Sequence, residues 1–117
     1  MYLSFAQRYD FRVPAIISQV ELCYRRTERN EETANINAVW DTGATKTFIS
    51  QRLADKLCII PLEFEPVLSA TGRQMAGLID ISVKLPNGLR IPDKRAFICG
   101  LPGSIDMIIG MDIRLVQ

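Results

Sequence analysis

Few residues in this chain could do chemistry, because it contains no histidine. A Ser-His-Asp triad, a Cys-His pair, an HExxH zinc site and a C2H2 finger are all excluded. Proton transfer near neutral pH then falls to carboxylates, lysines, cysteines or tyrosines in unusual surroundings. One carboxylate stands out by its setting. Asp41-Thr42-Gly43 follows directly on the alternating segment that ends at Trp40, so a strand delivers the acid to a tight turn. Gly43 permits close backbone approach or a positive φ, and Thr42 brings a hydroxyl beside the carboxylate. Later, Met107-Ile108-Ile109-Gly110 repeats the device of an apolar strand ending in glycine, followed by Met111-Asp112. Alone, Asp-Thr-Gly also reads as an ordinary strand-end turn with the Asp as local hydrogen-bond acceptor. The second apolar strand with its glycine weighs against that simpler reading.

The elements that must position these residues are mostly strands. Val20, Leu22 and Tyr24 alternate with Gln19 and Glu21, Ile36, Ala38 and Trp40 alternate with Asn35 and Asn37, and Ile79, Ile81, Val83 and Leu85 alternate with Asp80, Ser82 and Lys84. Such period-two patterns describe half-buried strands. Asn87-Gly88 before Leu89-Arg90-Ile91 signals a hairpin, and the charged stretch 25–32 connects antiparallel strands at about 15–24 and 33–41. One helix is expected where Ser50 caps Gln51 to Leu57, with Leu53 and Leu57 a turn apart on one face. A second short helix is expected from Met111-Asp112. The fold class is therefore all-β with one or two short helices.

Length and charge bound the rest. A chain of 117 residues makes one domain with a real core. A formal net charge of +1 supplies no field for nucleic acid or an acidic membrane. In the segment 25–32, Arg25, Arg26 and Arg29 cancel Glu28, Glu31 and Glu32 and read as a solvated loop. Cys23, Cys58 and Cys99 are widely spaced and odd in number, as expected of partly buried thiols in a reducing compartment. No apolar run approaches membrane-spanning length, and the N-terminus lacks a signal-peptide pattern, so a soluble cytoplasmic protein is the expectation.

Four segments, in this order and spacing, resemble the retropepsin-like aspartic proteases, the retroviral-type family with cellular and bacterial members. They are Val39 to Thr45, Phe48-Ile49-Ser50 with its helix, Ser69-Ala70-Thr71-Gly72, and Ile108 to Asp112. Ala44-Thr45 and Gly110-Met111-Asp112 look more like the cellular and bacterial members. The resemblance implies a small closed or partly open β-barrel over residues 1–117, with 1–12 as an N-terminal extension. It implies an aspartic endopeptidase that acts on peptides or proteins, without cofactor or metal, as a homodimer. Asp41, Thr42 and Gly43 would be catalytic, Ala44, Thr45, Ala70, Thr71 and Gly72 would meet substrate, and Gly110 and Asp112 would support the loop. Gly72 and Gly77 would let the hairpin between them close as a flap.

The implied chemistry needs a base and an acid acting together on water and amide. Asp-Thr-Gly occurs once, so the resemblance supplies the second carboxyl as Asp41 of another copy across a twofold axis, with one proton shared by the pair. Two departures from the retroviral pattern stand out. Thr45 and Met111 occupy positions where retroviral members carry a paired acid and arginine. Gln117 follows Asp112 by only five residues, so residues 1–12 would make the dimer contact unless the sequence is cut short. The alternative reading keeps the protease fold without turnover, as a binding or dimerisation module.

Overall fold

In the computed structural model, which describes residues 16–25, 30–69, 72–113 and 116, the alternating segments are strands. β1 (Ile16–Arg25) and β2 (Glu31–Trp40) pair antiparallel in unbroken register from Ile16↔Trp40 to Arg25↔Glu31. Both are longer than the sequence pattern predicts. Arg25, Glu31 and Glu32 belong to the ladder and not to a loop, because a two-stranded ladder continues for as long as both backbones can pair. Residues 26–29 and 1–12 lie outside the described residues.

β3 (Phe48–Ser50) and β7 (Met107–Ile109) are short and fully buried; β4 (Glu63–Ser69), β5 (Gly72–Lys84) and β6 (Arg90–Cys99) are longer. Among the described residues these seven strands form one sheet in the order β1-β2-β7-β3-β6-β5-β4. β5 also pairs with β1 over Glu21↔Lys84 to Tyr24↔Ile81, which closes six strands into a barrel and leaves β4 outside on β5. Closure removes two sheet edges and gives the side chains of alternate residues an enclosed interior. Val20 and Leu22, Ile36 and Ala38, Ile79, Ile81 and Val83, Ala96 and Ile98, and Met107 and Ile109 fill it. The outward-facing residues of β2, β3 and β7 bury a second, smaller cluster of Val39, Ala44, Phe48 and Ile108, where the Phe48 and Phe97 rings lie 5.9 Å apart.

The β5–β6 hairpin turns at Asn87-Gly88 as its sequence predicts, with Gly88 at φ 89° and Leu89 N–H donating to Asn87 Oδ1 at 3.0 Å. In β6, Ile91 points inward and so do Ala96 and Ile98, an odd spacing that strict alternation forbids. The register resolves it: Ile81 pairs Lys94 but Val83 pairs Ile91, so β6 carries one extra residue at Pro92-Asp93. A bulge is one of the few places where a strand accepts proline.

α1 (Gln51–Lys56) begins as predicted, with Ser50 Oγ accepting from Leu53 N–H at 3.0 Å. A helix this short has no stability of its own; burial of Leu53 and Ala54 on the barrel holds it. It stops in a tight turn in which Ile59 N–H donates to Ala54 O at 2.9 Å and Cys58 N–H to Asp55 O at 3.2 Å. That pattern puts Cys58 in the left-handed region, at φ 56°, and leaves it exposed rather than partly buried. Met111 and Asp112 form a turn rather than the start of a second helix, because Met111 N–H is drawn to Ala44 O at 2.9 Å. Residues 114–115 lie outside the described residues, and Val116 bridges to Arg90. Among the described residues no helix is long and apolar enough to cross a membrane.

A left-handed conformation is strained for a residue with a Cβ. Cys58→Gly is expected to raise stability by about 1 kcal/mol, read as a higher urea midpoint at unchanged slope.

Candidate active site

The site begins with a parallel strand pair. β2 and β7 align Ala38↔Met107, Val39↔Ile108 and Trp40↔Ile109, so Asp41 and Gly110 leave the two strand ends side by side. Asp41 N–H donates to Ile109 O at 3.0 Å and extends the ladder by one bond. The chain then turns back. Gly43 N–H donates to Asp41 Oδ1 at 2.9 Å and Ala44 N–H to Asp41 O at 3.1 Å. This is the local acceptor turn that the simpler sequence reading expects. It leaves Asp41 6% exposed beside the exposed Thr42 and Gly43.

The rest of the loop is tied to the turn after β7. Met111 N–H donates to Ala44 O, Phe97 N–H donates to Thr47 O at 3.0 Å, and Gly110 N–H donates to Thr47 Oγ1 at 3.3 Å. Thr47 Oγ1 in turn donates to Asp112 Oδ1 at 2.9 Å. A side chain on Gly110 would strike the Lys46 carbonyl carbon at 2.7 Å and Ala44 O at 2.9 Å. Glycine is required there by contact with neighbouring backbone, and its φ is unremarkable.

The predicted site residues fall into three groups. Asp41, Thr42, Gly43, Ala44 and Thr45 form one turn, with Asp41 and Ala44 buried and Thr42, Gly43 and Thr45 exposed. Gly110 and Asp112 stand directly behind that turn. Gly72 is the first residue of β5, paired with Ser69, while Ala70 and Thr71 lie outside the described residues. Gly77 is no hinge. It is buried in β5, and the Pro61 ring occupies the place of its missing side chain. Asp112 does not start a helix; it accepts from Thr47 and pairs with Lys94, whose Nζ is 2.7 Å from Asp112 Oδ2.

Sequence reading assigned no role to Thr47 or Lys94. Thr47 is 1% exposed, and its one signal was a polar residue just ahead of an apolar strand. Lys94 carried no signal, because its partner lies far along the chain. Trp40 is half-buried and donates from Nε1 to Ser18 Oγ at 3.0 Å, a packing role. Burial pushes the Cys99 thiol up to about 11, so at neutral pH this cysteine beside the loop stays protonated and is a poor nucleophile.

A family profile described as "gag-polyprotein putative aspartyl protease" matches residues 28–113, which include the whole Asp41 turn and Gly110. The chain belongs to that aspartyl protease family. No curated protein matches it. The protease-family barrel resembles the crystal structure of a retropepsin-like aspartic protease from Rickettsia conorii, at TM-score 0.52 and 20% identity, covering 86% of each chain. It also matches the solution structure of simian foamy virus protease, at TM-score 0.49 and 14% identity, covering 80% of this chain and 87% of that one. A third match is the retroviral protease-like domain of Ddi1 from Leishmania major, at TM-score 0.49 and 21% identity, covering 85% of this chain and 75% of that one. The Rickettsia structure shows that the fold is retropepsin-like, a barrel shared with a bacterial protein.

The tight seat of Gly110 has a measurable consequence. Gly110→Ala is expected to lower unfolding free energy by at least about 2 kcal/mol, read by urea denaturation. Gly100→Ala, where the added methyl meets nothing within 4 Å, is the matched control and is expected to change little.

Proposed function

We propose that this protein is a homodimeric aspartic endopeptidase in which Asp41 from each of two copies forms the catalytic dyad. The observation that carries the reading is the buried Asp41 carboxyl, fixed in a turn at the end of two parallel apolar strands, within a chain of the aspartyl protease family. A single carboxyl cannot be base and acid in the same step, and the chain has one Asp-Thr-Gly. The surface around the turn supports a second copy. Ile16 and Ile17, 70% and 63% exposed, sit on β1 opposite Trp40 and Val39, the residues that lead into Asp41. Apolar side chains so exposed at a strand end favour burial against another surface.

In the dimer two Asp41 carboxyls share one proton, because two like charges at close range cannot both ionise cheaply. The ionised one takes a proton from water as the water oxygen attacks the scissile carbonyl carbon. The protonated one gives its proton to the carbonyl oxygen. The tetrahedral diol then collapses, the C–N bond breaks, and the amine leaves with a proton returned by the dyad. Thr42 and Gly43, exposed in the turn, face the second copy and the substrate backbone. Ala44 and Thr45 continue the substrate wall, and Ala70, Thr71 and Gly72 are the further substrate contacts that the family resemblance implies. An extended peptide pairs through its backbone there, as a strand would.

Asp41→Asn is expected to reduce cleavage of denatured casein at mildly acidic pH by on the order of a hundredfold or more, with an unchanged urea midpoint. Equal cleavage by the two proteins overturns the reading. Specific activity of the wild type is also expected to climb with protein concentration until the dimer saturates; a rate per protomer independent of dilution through the monomer range removes the dyad.

A further inference from the structure

Behind the Asp41 turn lies a chain of polar contacts that the proposed reaction does not use. Lys94, in the bulged half of β6, places Nζ 2.7 Å from Asp112 Oδ2 and donates to the Asp112 carbonyl at 3.1 Å. Asp112 Oδ1 accepts from Thr47 Oγ1 at 2.9 Å, and Thr47 Oγ1 accepts from Gly110 N–H at 3.3 Å. The side chains are well withdrawn from water, 22% exposed for Lys94, 14% for Asp112, and Thr47 is 1% exposed. The ion pairs of Arg95 with Glu63 and Asp80, by contrast, lie on the open surface of the barrel.

Direction matters in this chain. A hydroxyl has one proton and must choose where to send it. Gly110 N–H can only donate, so the Thr47 oxygen must offer it a lone pair, and the Thr47 proton must go elsewhere. Asp112 receives it, and receives it best as a carboxylate acting as a pure acceptor. Lys94 supplies the opposite charge that keeps a half-buried carboxylate in place. Remove the ammonium and Asp112 is drawn outward to water, Thr47 loses the acceptor that orients it, and Gly110 N–H loses its partner. Gly110 directly follows Ile109, whose carbonyl holds the Asp41 amide.

We propose that Lys94 is a positioning residue for the Asp41 turn, acting through Asp112 and Thr47 on the Gly110 amide. This rests on the aspartic-protease reading of Asp41 for its catalytic consequence, but not for its structural one. The substitution Lys94→Met keeps the length of the side chain and removes the charge. Lys94→Arg keeps the charge.

The test uses the full chain and two readouts: amide hydrogen exchange followed by NMR, and cleavage of fluorescein-labelled casein. In Lys94→Met, exchange at Gly110 is expected to rise at least about tenfold while Val20 and Ile36, buried in the β1–β2 ladder, hold theirs. kcat is expected to fall about tenfold, with KM within about twofold, because the dyad is misplaced and the substrate wall is not. Lys94→Arg is expected to stay within about twofold of wild type in both. Lys84→Met, at an exposed lysine of β5, is expected to change neither. If Lys94→Met does not fold, Thr47→Val provides the same Gly110 readout, with the hydroxyl removed at nearly constant volume. Unchanged Gly110 exchange in either variant overturns the proposal. A rise shared equally by Gly110 and the core amides also overturns it, since that marks lost global stability. Exchange needs no turnover, so a wild type as inert as Asp41→Asn would remove the protease reading and leave the Gly110 result to decide this one.

Discussion

The structure depends on the parallel pairing of two apolar strand ends, β2 and β7. These strands are remote in sequence, and neither carries a charged side chain over its paired residues. Parallel strands are uncommon outside folds that bury both faces of the sheet. Here both faces are buried. Met107 and Ile109 point into the barrel, and Ile108 points into the smaller cluster with Val39 and Phe48. This two-sided burial fixes the register, since a slip by one residue would exchange every side chain between the two apolar regions. With the register fixed, the Asp41 amide meets the Ile109 carbonyl, and the turn that follows has one place to go.

Around that point the protein replaces flexible loop with backbone and side-chain hydrogen bonds. Seven residues separate the end of β2 from the start of β3, and Asp41, Gly43, Ala44 and Thr47 among them bond to their own turn or to β7 and the residues that follow it. Each such bond contributes only about 1 kcal/mol net, but leaving a buried donor such as Gly110 N–H unmade costs more. The loop is thus held in one geometry less by any strong contact than by the penalty for every alternative. A pre-set turn of this kind suits a reaction in which the acid and the base must meet a water molecule without further adjustment.

Much of this was legible in the sequence, for identifiable reasons. Alternation over Ile79 to Leu85 and over Asn35 to Trp40 gave strands and their buried faces, because period two has one physical meaning in segments of that length. Ser50 gave the helix start, and Asn87-Gly88 gave the hairpin. Asp41 and Gly110, each at the end of an apolar strand, were brought together by the family resemblance. Other features were not legible. The Lys94–Asp112 pair joins residues whose closeness follows from barrel closure, which no local pattern encodes. Gly77 looked like a hinge because glycine is permissive, yet here its smallness admits a proline ring. The turn at Met111 defeated the helix signal at Asp112 because the backbone donor that a helix start would leave free already had a partner in Ala44.

The bulge at Pro92-Asp93 divides β6 into two halves of opposite phase. The first half, around Ile91, keeps step with the hairpin and with the bridge to Val116; the second, from Ala96 to Ile98, keeps step with β3. The extra residue acts as a clutch between them, letting each half mesh with its own neighbours without forcing the other out of alignment. Loss of a single residue at that point would turn one half inside out, whereas lengthening the hairpin tip beyond Leu85 would disturb neither. Evolution therefore has room to vary the far end of this hairpin while the end that faces the Asp41 turn stays in gear.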